Sequence, residues 1–246
     1  MKTFPHNPDE ATLSARMAAD RQRYEAEVTD APGKPAAHYD SGSRLAFGLA
    51  GLAYAFDAPA AEVKLLAVGA TRQALRAAAR DEPMDPVTYQ RYLALSVWTY
   101  ENNFRGTLTN FDRAQFTNPE MNHDDVVYRV AEAMSALAKK RPEMAVEHAD
   151  SGLKRITRGL VSTAVVNSVA PLLQIARSMG KGDLYELRGA VSERNTQYLR
   201  SISNEAGRAD PEALIDVVSL ALVRMAAADY GLAVEPKSLY VPTSLF

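Results

Sequence analysis

Asp85 to Phe104, DPVTYQRYLALSVWTYENNF, is the stretch on which the reading of this chain turns. Asp85 can cap a helix and Pro86 suits the first helical position. Tyr89, Leu93, Ser96, Val97, Tyr100 and Phe104 recur near one face at helical spacing. Ala94, Leu95 and Trp98, the only tryptophan, fall on the other side, so the helix is apolar nearly all round. A helix of that kind is buried in the middle of a domain. The stretch therefore reads as a central, aromatic-rich helix against which the others pack, and it carries no catalytic constellation.

Working upstream, Asp57-Ala58-Pro59 turns into a helix over about 60–80, with Val63, Leu66, Ala67, Ala70, Ala74, Leu75 and Ala78 as its buried stripe. Arg72, Arg76 and Arg80 recur every four residues and line one exposed face. A solvated face explains such a row, and the functional alternative is a basic patch for phosphate or an acidic partner. A helix over about 37–56 precedes it. Its Gly48 and Gly51 imply close approach of a neighbour, since glycine costs a helix about 1 kcal/mol relative to alanine. No strand precedes them and no G-x-G-x-x-G or P-loop string is present, so they do not read as a phosphate loop. Ala31-Pro32-Gly33-Lys34-Pro35 breaks the chain as a loop or hinge. Before it, Asn7, Pro8 and Glu10 form a helix start, and that helix runs to about Val28.

Downstream lies a long Asn- and Thr-rich connection, 102–122, that contains Phe104, Phe111 and Phe116. A connection of that length is either a binding loop or an irregular segment whose phenylalanines plug the core. Asn122 then caps a helix to about Lys140 with Val126, Val130, Ala133, Met134, Leu137 and Ala138 inward, and His123, Asp124 and Asp125 occupy its first turn, where acids suit the helix dipole. Pro142 opens the next helix, which carries His148; Leu160 to Ala176 follows, with a kink or new start expected at Pro171. Gly180-Lys181-Gly182 is a stop and Asp183 opens a helix to about Ile202. Asp210-Pro211-Glu212 starts a last helix that ends at Gly231. The tail holds Pro236 and Pro242, so it is expected to be extended, and its Leu239, Tyr240, Val241, Leu245 and Phe246 are expected to dock on the bundle.

The sum is an all-α protein: about nine helices, paired as antiparallel hairpins around the central one, with an extended C-terminal tail. Residues 1–246 read as a single domain, with a possible hinge at 31–35. The hydrophobic share of 47% is that of a globular chain, and the balance of 28 basic against 30 acidic residues leaves no bulk footprint for nucleic acid. The absence of cysteine excludes disulfides and thiolate metal sites. The first residues, MKTFPHNPDEATLS, show no apolar leader, and the longest apolar run, Leu45 to Phe56, falls short of the roughly 20 residues that a bilayer requires. The expectation is a cytoplasmic protein with no membrane segment, no cofactor and no metal.

The alanine-rich chain of helical hairpins, the Tyr/Trp-rich middle helix and the ending Ser238-Leu239-Tyr240-Val241-Pro242-x-x-Leu245 resemble the all-α immunity protein family forty-nine of bacterial polymorphic toxin systems. That resemblance implies a cytoplasmic protein that binds and neutralises a cognate antibacterial toxin domain by occlusion, with no catalysis of its own, and a partner encoded by a neighbouring gene. On the residues themselves, the expected partner surface is Phe111, Asp112, Phe116, Glu120, Asp124 and Asp125: aromatic anchors in an acidic setting. The alternative surface is Arg72, Arg76 and Arg80, which suits an acidic partner. Two other functions are compatible with the same sequence. One is a TPR-like helical scaffold that binds a peptide, although no repeat of fixed period is present. The other is a helical metal-dependent enzyme using His123, Asp124 and Asp125, although the second Glu-x-x-His of a di-iron carboxylate site is missing.

Overall fold

The computed structural model describes residues 1, 2, 4, 9–27, 33–80, 82, 84–99, 126–159, 161–203 and 210–246. Among them lie nine α-helices and no strand: α1 (Glu10–Glu27), α2 (Ala36–Ala55), α3 (Ala60–Ala78), α4 (Pro86–Thr99), α5 (Val126–Ala138), α6 (Pro142–Thr157), α7 (Thr163–Lys181), α8 (Leu184–Ser201) and α9 (Val217–Tyr230). Two short 3-10 turns, Pro211–Leu214 and Thr243–Leu245, complete the set. The all-α expectation holds. α2 packs on α3, α5 on α6, α6 on α7 and α7 on α8. The short turns between such neighbours make them antiparallel hairpins.

α4 occupies the centre. Tyr89, Tyr92, Leu93, Ala94, Leu95, Val97 and Trp98 are all at most 2% exposed, and the helix touches α3, α5 and α9. Its start is built as the sequence predicts: the Asp85 carboxylate accepts from the Val87 and Thr88 amides at 2.9 and 3.0 Å and from the Thr88 hydroxyl at 2.6 Å. Asp85→Ala should therefore cost about 1 kcal/mol, read as a lower denaturant midpoint at unchanged slope. Tyr100 and Phe104, expected on the same helix, lie outside the described residues.

Several boundaries differ from the sequence reading. α1 begins at Glu10, and its cap is Asp9 in place of Asn7: the Asp9 carboxylate accepts from the Thr12 amide at 2.9 Å and the Thr12 hydroxyl at 3.0 Å. These bonds hold the Asp9 carboxyl below its usual range. Pro171 neither ends nor restarts α7, which is helical from Thr163 to Lys181. The last helix is two pieces. Asp210 caps only the 3-10 turn, the chain is extended at Ile215, and Asp216 caps α9 by accepting from the Ser219 amide at 3.2 Å. The residues on both sides of the break are apolar and buried, so only the Asp216–Ser219 cap marks it. α7 and α9 both stop at a left-handed glycine, Gly182 and Gly231, as expected.

The break puts the 3-10 turn flat on α2. A Cβ at Gly51 would stand 2.5 Å from the Pro211 carbonyl oxygen, and one at Gly48 would stand 3.3 Å from Pro211 Cβ. Close approach is thus the reason for these two glycines. Tyr240, Val241 and Leu245 dock as expected, at 3%, 2% and 2% exposed, whereas Leu239 is 43% exposed and Thr243–Leu245 form a 3-10 turn in place of extended chain. The Asp216 amide donates to the Tyr240 carbonyl at 2.8 Å, Trp98 Nε1 to the Leu245 carbonyl at 3.2 Å, and the Tyr54 hydroxyl to the Leu239 carbonyl at 2.9 Å. Most of the buried apolar side chains, from Phe4 to Leu245, form one cluster.

Candidate functional site

Of the residues the sequence singles out, Phe111, Asp112, Phe116, Glu120, Asp124 and Asp125 lie outside the described residues, as does His123. The arginine row is described, and it is not one row. Arg72 and Arg76 are exposed on α3, but Arg80 is half-buried beyond the helix end at Ala78. Its Nη2 donates to the Tyr39 hydroxyl at 2.9 Å, with the guanidinium 5.1 Å from the centre of that ring. Once the helix ends, residue 80 leaves the four-residue register, and Tyr39 offers both an acceptor and a π face. Arg72 and Arg76 instead flank Tyr24 of α1, whose hydroxyl lies 2.9 Å from where a Cβ on Gly69 would stand. Burial raises the Tyr24 hydroxyl pKa, and the charges of Arg76 and Arg72 oppose that rise.

A polar cleft of 460 Å³ opens between α1, α2 and the 210–214 turn. Arg16 and Asp20 of α1 line one wall, paired at 2.6 Å. Arg44 of α2 and Glu212 of the turn line the other, paired at 2.8 Å. Beneath them Arg91 of α4 donates to Glu212 at 3.2 Å and to Asp40, which also accepts from the Tyr92 hydroxyl at 2.6 Å. The chain Arg44–Glu212–Arg91–Asp40–Tyr92 ties α2, α4 and the turn together. Burial pushes the Glu212 carboxyl up while Arg91 and Arg44 pull it down, and burial together with Asp40 drives the Tyr92 hydroxyl well above its usual value. Each acid in this chain is matched by an arginine, so the chemistry of the cleft is that of a clamp.

A second pocket, of 150 Å³, lies between α4, α5 and α6. Tyr89, Tyr128, Ala131 and Ala136 form its inner wall, and Lys139, Arg141 and Met144 stand at its lining from the exposed side. Tyr89 is 1% exposed; its hydroxyl meets Ser135, and burial lifts its pKa to about 12. Glu132 accepts from Arg129 Nη1 at 2.8 Å and faces His148 Nδ1 at 3.3 Å, which fixes the imidazole orientation. His148 is half-buried. The sequence does not announce this pocket. The available signal was the stripe Tyr128, Glu132, Ser135 and Lys139, which runs at helical spacing beside the apolar face of α5.

Among the described residues no group of three or more His, Asp or Glu side chains is placed to hold a metal ion, and no helix is long and apolar enough to cross a membrane. Comparison of the chain with protein families, with curated proteins and with solved structures gave no match.

Proposed function

We propose that this chain is a cytoplasmic immunity protein that binds a cognate antibacterial toxin domain and neutralises it by occlusion, without catalysis of its own. The partner is the product of a neighbouring gene. The observation that carries the reading is the placement of the string on which the resemblance rests. Tyr240, Val241 and Leu245 are buried in the bundle, and the main chain around them is bonded to Asp216 and Trp98. The string therefore has a packing role in this fold.

The test is co-expression of this protein with the product of the adjacent gene in a host that the product otherwise kills. Growth should be restored. Charge reversal at Asp124 and Asp125 combined with Phe111→Ala and Phe116→Ala should abolish that protection while the far-ultraviolet circular dichroism spectrum stays helical. Loss of protection in Arg72→Glu with Arg76→Glu, and full protection by the first variant, would move the interface to α3. Arrested growth with well-expressed, folded wild-type protein would overturn the reading.

A further inference from the structure

We infer that the pocket between α4, α5 and α6 receives one aromatic side chain of a protein partner, presented beside acidic residues. The inference rests on the immunity reading in taking that partner to be the toxin domain. Three observations carry it. The first is size: 150 Å³ matches the roughly 150 Å³ apolar cavity that holds benzene. It is too small for most ligand clefts, which occupy about 300–1,000 Å³.

The second is the nature of the wall. The Tyr89 and Tyr128 rings and the Ala131 and Ala136 methyls give apolar surface, while Met144, 41% exposed, supplies an adaptable rim. Anchors buried in such pockets dominate protein interfaces, and aromatic ones are favoured.

The third is charge. Lys139 and Arg141 line the pocket and are exposed, and neither forms an ion pair with the acid inside it, Glu132, which is taken by Arg129 and faced by His148. The rim is therefore basic, and it complements acids on either side of the incoming ring.

The test uses the full chain and two capped peptides, Asp-Phe-Asp and Lys-Phe-Lys, with the Met144 methyl and Tyr128 ring followed by nuclear magnetic resonance. The acidic peptide should shift both resonances and the basic one should not. Ala136→Leu, which fills the pocket, should abolish the shifts. It should also weaken binding of the neighbouring gene's product about 30-fold, the loss of one anchor. Lys139→Glu with Arg141→Glu, on the exposed rim, should reverse the peptide preference without altering the fold. No shift with either peptide, or equal shifts with both, would overturn the inference. So would binding of the neighbour's product unchanged by both variants, while the immunity reading stood. Peptide binding at the pocket with no binding of the neighbour's product would sink the immunity reading and leave the pocket's specificity in place. A concentration-dependent dimer that Ala136→Leu dissolves would make a second copy the occupant and overturn the inference.

Discussion

Gly51→Ala should destabilise the protein while Gly42→Ala, in the same helix, should stabilise it. Helix propensity is the same for both and favours alanine by about 1 kcal/mol. The surroundings differ. At Gly51 the new methyl would stand 2.5 Å from the Pro211 carbonyl oxygen and 3.2 Å from Leu214 Cβ. The first is backbone in a capped turn that Glu212 pins to Arg44 and Arg91, so it has no rotamer to escape into. Relief requires the turn to lift from α2. Overpacking of this kind costs about 1–3 kcal/mol, and with the contact to main chain the upper end applies, leaving a net loss of about 2 kcal/mol after the propensity gain. At Gly42 the nearest atoms are in the Gln73 side chain, 3.5 Å away, an ordinary contact. A gain approaching 1 kcal/mol is expected there. Urea unfolding of both variants checks this, with the midpoint moving in opposite directions at constant slope.

Asp216→Ala is expected to have the largest effect of any single substitution considered. Asp216 is 3% exposed and does two things: it caps α9 at the Ser219 amide and accepts from Arg194 Nε at 2.8 Å. Arg194, 8% exposed, also donates to the Ser168 carbonyl at 2.9 Å and lies 5.1 Å from the centre of the Tyr198 ring. Removing the acid leaves a buried guanidinium without its counter-charge, which costs about 3–5 kcal/mol. Arg194→Met with Asp216→Asn keeps an acceptor for the cap and removes both charges. It should recover most of that loss, because replacing a buried pair by neutral groups of similar volume is often neutral. The double-mutant cycle on unfolding free energies gives the coupling. Equal and additive losses would show that the pair does not act as a unit.

The parts of the fold that were readable from sequence are those where a local signal and burial agree. α4 is the clearest: a cap, a proline and an apolar surface all round can be satisfied only at the centre of a bundle, and that is where Trp98 and Tyr89 lie. The stop at Gly182 and the docking of Tyr240 and Val241 were legible for the same reason. The split at Ile215 was not. Its residues are apolar and buried on both sides of the break, so periodicity does not change there, and only the Asp216–Ser219 cap marks it. Spacing alone puts Arg80 in an exposed row, whereas the helix end at Ala78 and the long-range contact with Tyr39 decide its place. The charged clamp and the aromatic pocket draw residues from three elements each, so no sequence window contains either. The expected partner surface, Phe111 to Asp125, is outside the described residues, and its variants test it directly.

The central claim, that this chain neutralises a toxin by holding it, is tested most directly by calorimetric titration of the purified protein with the purified product of the neighbouring gene. Saturable binding near one-to-one is predicted, with loss of the product's toxic activity at the same equivalence point and no turnover of it. The absence of heat and of complex on size exclusion, with the product's activity intact in the presence of excess folded protein, would contradict the account.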